Sequence, residues 1–236
     1  MIPFRFHEAK REKAMSNAFL QFFSDPAPVL RVKFRQNDQQ AKTVPVQHKL
    51  GGSADAASSE YLKLLREFPA LSSFCEFFGK HDGAQLCRTH DARFDRETPL
   101  LDFKSAKRIA NFTSRYMPDG DRAWTIDLNK SKALYRGGSA WIVFAEIDSG
   151  PMGLAIFLEG ENAGNIYLIA PQPEFNILRP IAKGFQPLLE RIGKDLPAFL
   201  RLVRASVSLR GADGHNYGFQ AVEYSGNGHD ERVYES

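Results

Sequence analysis

The chain has 236 residues, 43% apolar and 25% charged, a balance that fits one large domain or one domain with an extension and excludes a disordered or fibrous polymer. Nineteen Phe residues point to an aromatic-rich core. The net charge of +3 is too small and too dispersed for a nucleic-acid footprint.

Charge is nevertheless uneven, which can orient a charged partner toward one face. Residues 1–50 carry nine Lys/Arg against four Asp/Glu, whereas residues 140–178 carry five acids and no Lys or Arg. Two cysteines, Cys75 and Cys87, match neither a disulfide framework nor a zinc site, so reduced thiols in a cytoplasmic protein are expected. Met1–Arg11 lacks the apolar region of a secretory signal, and no stretch approaches the ~20 apolar residues that span a bilayer. No membrane role is expected.

In chain order, residues 7–23 have the spacing of a helix with Ala14, Ala18, Phe19, Phe22 and Phe23 on one side. Pro26 and Pro28 stop it. Val29–Gln36 alternates Leu30, Val32 and Phe34 with Arg31, Lys33 and Arg35, the pattern of a half-buried strand with a basic outer face. Asn37–Ser58 is polar, with Gly51 and Gly52 at its centre, and reads as a linker or loop. This places an N-terminal extension at residues 1–57 and the main domain at 58–236.

Ser58–Phe68 reads as a short helix capped by Ser58 or Ser59. Pro69 opens a second helix, ending near Gly79, with Leu71, Phe74, Cys75, Phe77 and Phe78 at helical spacing. A turn at His81-Asp82-Gly83 leads into a short strand, Ala84–Arg88, and Asp102 caps a helix running to about Tyr116. Three apolar strands follow, at Trp141–Ile147, Gly153–Leu158 and Asn165–Ala170. Ile181–Leu200 is amphipathic, weakened at Gly193 and recapped at Asp195, and continues to about Val207. Tyr217–Tyr224 alternates as a final strand.

Turns between the three central strands are too short for crossover helices, so parallel α/β is disfavoured and the expected class is α+β. The strands and helices here resemble the SUKH superfamily, the SMI1/KNR4-like proteins, from about Ser58 to Leu200. Phe74–Gly83 is similar to that family's helix ending in an Asn-Gly-type turn. Trp141–Gly150 is similar to its apolar strand, Ala and acidic turn with Gly. Gly164-Asn165-Ile166-Tyr167-Leu168 and Ala182–Leu189 are similar to its later strand and helix. Asp82 stands where Asn is common, and Gly184 where Ser is usual. The resemblance implies a mixed or antiparallel sheet of about six strands with helices packed on it. It implies a non-catalytic protein-binding module, most often an immunity protein neutralising a nuclease-type toxin domain of a bacterial polymorphic toxin system. The alternative it implies is an intracellular regulatory or scaffold protein, for example in cell-wall synthesis control. It carries no cofactor and no catalytic residue onto this chain.

Glu146, Asp148, Glu159 and Glu161 lie near turns and strand ends, and form the expected partner-facing patch. Tyr167 is its expected aromatic contact, with Trp141 and Phe175 as further anchors, although Trp141 opens a strand and fits the core better. The bland alternative is solvated loop charge. His81, Asp82, His90 and Asp91 match no metal-ligand spacing. Gly137-Gly138-Ser139 lacks the strand–elbow–helix context of a nucleophilic serine, and Pro151 removes an amide that a phosphate loop would need. Arg31, Lys33 and Arg35, with Arg5, Lys10 and Arg11, are the only feature favouring a polyanion, and they also suit protection of an edge strand. The sequence leaves the oligomeric state open.

Overall fold

The computed structural model describes residues 18–34, 37–113, 141–169, 180–210 and 213–225. Its strands are β1 (Val29–Phe34), β2 (Asn37–Pro45), β3 (Gln47–Leu50), β4 (Ala84–Asp91), β5 (Arg96–Phe103), β6 (Trp141–Ile147), β7 (Met152–Phe157), β8 (Asn165–Ile169), β9 (Ala182–Lys183), β10 (Val207–Arg210) and β11 (Asn216–Ser225). Its helices are α1 (Ala56–Leu65), α2 (Ser72–Lys80), α3 (Ala106–Thr113), α4 (Phe185–Lys194) and α5 (Leu196–Leu202). The class is α+β, as expected. The strands form two antiparallel sheets, one of four in the order β10-β11-β1-β2 and one of seven in the order β3-β4-β5-β6-β7-β8-β9. The count exceeds the six expected because polar residues mask the strand period in β2 and β5, and because β3, β9 and β10 are only four, two and four residues long.

The chain divides into two compact units, both discontinuous. One comprises Met1–Lys49, Gln85–Leu101 and Leu189–Ser236, the other Leu50–Ala84 and Asp102–Leu188. A single cut after residue 57 does not separate them.

In the first unit, β1 lies between β11 and β2 and is an interior strand, not the edge its basic face suggested. Leu30 and Val32 are buried, while Arg31 points outward to Glu223, its cross-strand partner, at 3.2 Å. The polar stretch after residue 36 is no linker: β2 pairs with β1 from Val29↔Pro45 to Lys33↔Ala41. It tolerates polar residues because it is an edge strand; Val44 reaches the core, as does Val46 just beyond the strand. Asp195 caps α5 as predicted, accepting the Ala198 N–H at 2.8 Å. That helix ends at Leu202 rather than near Val207, because Arg204 turns left-handed (φ 60°) and Val207–Arg210 pairs with β11. Gly193 has a packing reason: a Cβ there would sit 2.9 Å from the Phe19 backbone nitrogen. Of the helix predicted over 7–23, residues 18–21 are helical and Phe22–Ser24 form a 3-10 turn; the rest lies outside the described residues.

In the second unit, α1 is capped by Asp55, not Ser58: its carboxylate accepts the Ser58 N–H at 2.9 Å. Gly51 is packed rather than free, donating its N–H to Gly83 O at 2.9 Å. Asp102 belongs to β5, and α3 begins at Ala106. The cap of α3 comes from 24 positions away, where Asp82 Oδ1 accepts the Ala106 N–H at 2.6 Å. Strands β6, β7 and β8 form the predicted antiparallel meander. After it, Lys183 pairs with Asn165 in β9, and α4 starts only at Phe185, past Gly184 at φ 126°. Phe74, Phe78, Phe144 and Phe185 form the aromatic core, with Phe74 4.4 Å from Phe78, 5.5 Å from Phe144 and 5.1 Å from Phe185 between ring centres. Each is essentially buried, a burial that stabilises by about 1.5–3 kcal/mol per side chain.

Candidate functional site

The acidic residues predicted to form one patch are separated by the meander itself. Glu146 and Asp148 lie where β6 turns into β7, with Glu146 opposite Gly153. Glu159 and Glu161 follow the far end of β7, which closes at Phe157. At ~3.3 Å per residue, the run from Gly153 to Glu159 places the two pairs about 20 Å apart along the strand. Their individual environments also differ. Glu146 is paired with Lys104 at 2.5 Å, Asp148 is 8% exposed at a left-handed turn position (φ 54°), and Glu161 is exposed. Tyr167 is half-buried, its ring 5.0 Å from Phe157 and its hydroxyl 3.0 Å from Asn162 Oδ1. Trp141 is buried in the core, and Phe175 lies outside the described residues.

Side chains with chemical potential are instead held in networks that join backbone elements. Lys104 sits between Asp102 and Glu146, its ammonium 4.9 Å from the centre of the Phe112 ring. Asp82 accepts the Ser58 hydroxyl at 2.7 Å as well as the Ala106 amide, and Ser58 Oγ accepts the Lys107 amide at 3.3 Å. Lys107 Nζ reaches Asp55 at 2.5 Å; that hydrogen bond, first among the causes, lowers the exposed Asp55 carboxyl to about 2. His48 is enclosed by Phe22, Phe23 and Tyr224. The backbone N–H of Cys87 donates to His48 Nδ1 at 3.2 Å, so Nε2 carries the proton toward Tyr224 Oη, also at 3.2 Å. Tyr224 in turn donates to Asp25 at 2.6 Å. Burial lowers His48 to about 4, which keeps it neutral at pH 7. Burial also raises the Cys87 thiol far above its usual range, and the Cys75 thiol to about 11. Neither is a thiolate at neutral pH.

A cleft of about 580 Å³ opens beside α1 and α2, lined by Arg66, Phe68, Pro69, Ser72, Cys75 and Glu76. Its one thiol is the protonated Cys75, so it offers space without an activated nucleophile. Among the described residues no group of three or more His, Cys, Asp or Glu is placed to hold a metal. Of the residues weighed as ligands, Asp82 and Asp91 are engaged by Ser58 and Arg93, and His90 meets Asp95 at 3.3 Å. No described helix is long and apolar enough to cross a membrane.

The feature that sequence reasoning missed is the hairpin joining β4 to β5. β4 runs on to Asp91, past the predicted end at Arg88, and β5 carries Thr98, Leu100, Leu101 and Phe103 inward. Thr89 and Asp91 on one arm and Thr98 and Leu100 on the other alternate inward, a period-two signal masked by their polar members. At the tip stands Phe94, 47% exposed, the large apolar side chain most open to solvent among the described residues. Two guanidinium groups flank it, Arg93 at 5.2 Å and Arg96 at 5.3 Å from the ring centre.

The tip is anchored by hydrogen bonds to both arms of the hairpin and to β10 and β11. Asp91, 2% exposed, accepts the Arg93 amide at 2.8 Å, grips the Arg93 guanidinium through both oxygens at 3.0 and 2.5 Å, and accepts the Thr98 hydroxyl at 3.3 Å. Burial pushes the Asp91 carboxyl up, but the Arg93 and Thr98 hydrogen bonds outweigh it and hold it below the usual range. Ala92 donates to Ser208 O in β10 and accepts from Asn216 Nδ2, both at 3.2 Å. Asp95 takes the left-handed conformation that closes the turn (φ 50°).

The chain matches no protein-family model, no curated protein and no solved structure in the comparisons made.

Proposed function

We propose that this protein is a non-catalytic protein-binding module, of the kind that neutralises a nuclease-type toxin domain as an immunity protein. The observation carrying the binding reading is the β4–β5 tip, an aromatic ring held out between two guanidinium groups on an immobilised turn. Aromatic and Arg side chains supply most interface energy, and a contact already fixed in place binds with less ordering cost. The narrower immunity reading rests on the resemblance of the sequence to the SUKH superfamily over Phe74–Gly83, Trp141–Gly150, Gly164–Leu168 and Ala182–Leu189. An acidic, outward Glu161 beside Glu159 is suited to steering a basic toxin rather than adding affinity.

The test is co-expression of the full chain with the toxin domain encoded beside its gene. Growth rescue together with a stable 1:1 complex supports the reading. Toxicity unaffected by the chain, with no complex, rejects the immunity role. Turnover of a substrate by the purified protein rejects the non-catalytic reading altogether.

A further inference from the structure

We infer that the β4–β5 tip is the chain's principal partner contact, and that its partner is a protein presenting an apolar pocket with a carboxylate on its rim; this rests on the binding-module reading above. Phe94 supplies the plug. Its ring is half-exposed on a turn whose backbone is fixed by Asp91, Ser208 and Asn216, so docking does not have to order the loop. The two arginines beside it are not equivalent. Arg93 is already neutralised by the buried Asp91 carboxylate, and its role is to hold the ring's position. Arg96 meets the Phe94 ring and makes no ion pair among the described residues, so its charge is available to a partner. A rim carboxylate placed to reach Arg96 while the pocket receives Phe94 would gain a hydrogen-bonded ion pair in a partly desolvated setting.

Charge at the tip argues against a polyanion as the occupant. Between Arg88 and Glu97, three arginines are balanced by three acids. Asp95, 97% exposed, stands at the apex itself, where a phosphate backbone would meet it. Arg88 is engaged by Glu97 at 3.0 Å. What remains is a locally neutral surface with an apolar plug, an exposed carboxylate at Asp95 and, at Arg96, a guanidinium with no ion pair among the described residues, which fits a protein pocket better than a nucleic-acid groove.

The experiment places the photo-crosslinking residue p-benzoylphenylalanine at position 94, and separately at 161, in the full chain produced in its native cells. The captured protein is then purified, and its affinity for the wild type, F94A and R96E is measured by calorimetry. The expected result is capture from position 94, with F94A weakening binding by about thirty-fold or more while leaving the unfolding midpoint unchanged. R96E should weaken binding about tenfold, and charge reversal of one carboxylate in the partner should restore it. Capture of nucleic acid from position 94 overturns the inference, as does a partner whose affinity F94A does not alter. Capture from 161 and not 94 overturns the tip assignment but leaves the binding module standing. Failure at both positions overturns both.

Discussion

Replacing Asp91 with Ala tests whether one buried carboxylate holds the β4–β5 tip in place. The substitution removes the acceptor of the Thr98 hydroxyl, which is 4% exposed and would be left without that partner. An unsatisfied buried hydroxyl costs about 1–3 kcal/mol, and the lost hydrogen bond from the Arg93 amide adds about 1 kcal/mol. Arg93 itself is 36% exposed and can turn to water, so no stranded buried charge is added. The expected loss is about 3 kcal/mol. With an m-value of ~2–3 kcal/mol/M, the urea midpoint should fall by about 1 M at unchanged m. The pH dependence has a definite sign. Because the folded Asp91 carboxyl lies below its unfolded value, its contribution is complete above the unfolded pKa of ~3.9 and is lost as pH falls through the folded value. The gap between wild type and D91A should therefore be wide from pH 5 to 8 and narrow in acid. Circular dichroism during urea unfolding measures it. A midpoint shift under 0.3 M at pH 7, roughly a quarter of that expected from the worked loss, would refute the account.

His48 should make the folded state acid-sensitive: its pKa of about 4 lies below the unfolded ~6.5, so the unfolded chain takes up the proton first. Stability should drop by about 3 kcal/mol between pH 7 and 4 through this group, and H48Q should lack that limb; equal slopes in the two proteins would contradict it. Gly193→Ala should destabilise by about 1–3 kcal/mol, although Ala is the better helix former, because the added Cβ meets the Phe19 backbone at 2.9 Å; calorimetric melting decides the sign. Lys107→Met should raise the Asp55 carboxyl from about 2 toward its ordinary value, as followed by carbon NMR through a pH titration; an unmoved midpoint would show that Lys107 is not the cause.

The β6–β8 meander was legible in the sequence because its apolar runs are long and its turns short, and the Asp195 recap because a cap acts within three residues of itself. The α3 start was not legible: Ala106 is capped by Asp82, across a distance in sequence that no local pattern records. The acids of the meander could be listed but not grouped, since strand direction alone sends Glu146 and Glu159 to opposite ends.

By itself the sequence determined the α+β class, the meander and the aromatic core, all of which follow from local periodicity and apolar burial. Only the tertiary structure decided that β2 is a strand, that Glu146 belongs to Lys104, and that Phe94 stands exposed between two arginines. The reason is physical. Edge pairing, ion pairing and a turn's rigidity each depend on groups brought together from distant positions, and those meetings exist only once the chain has folded.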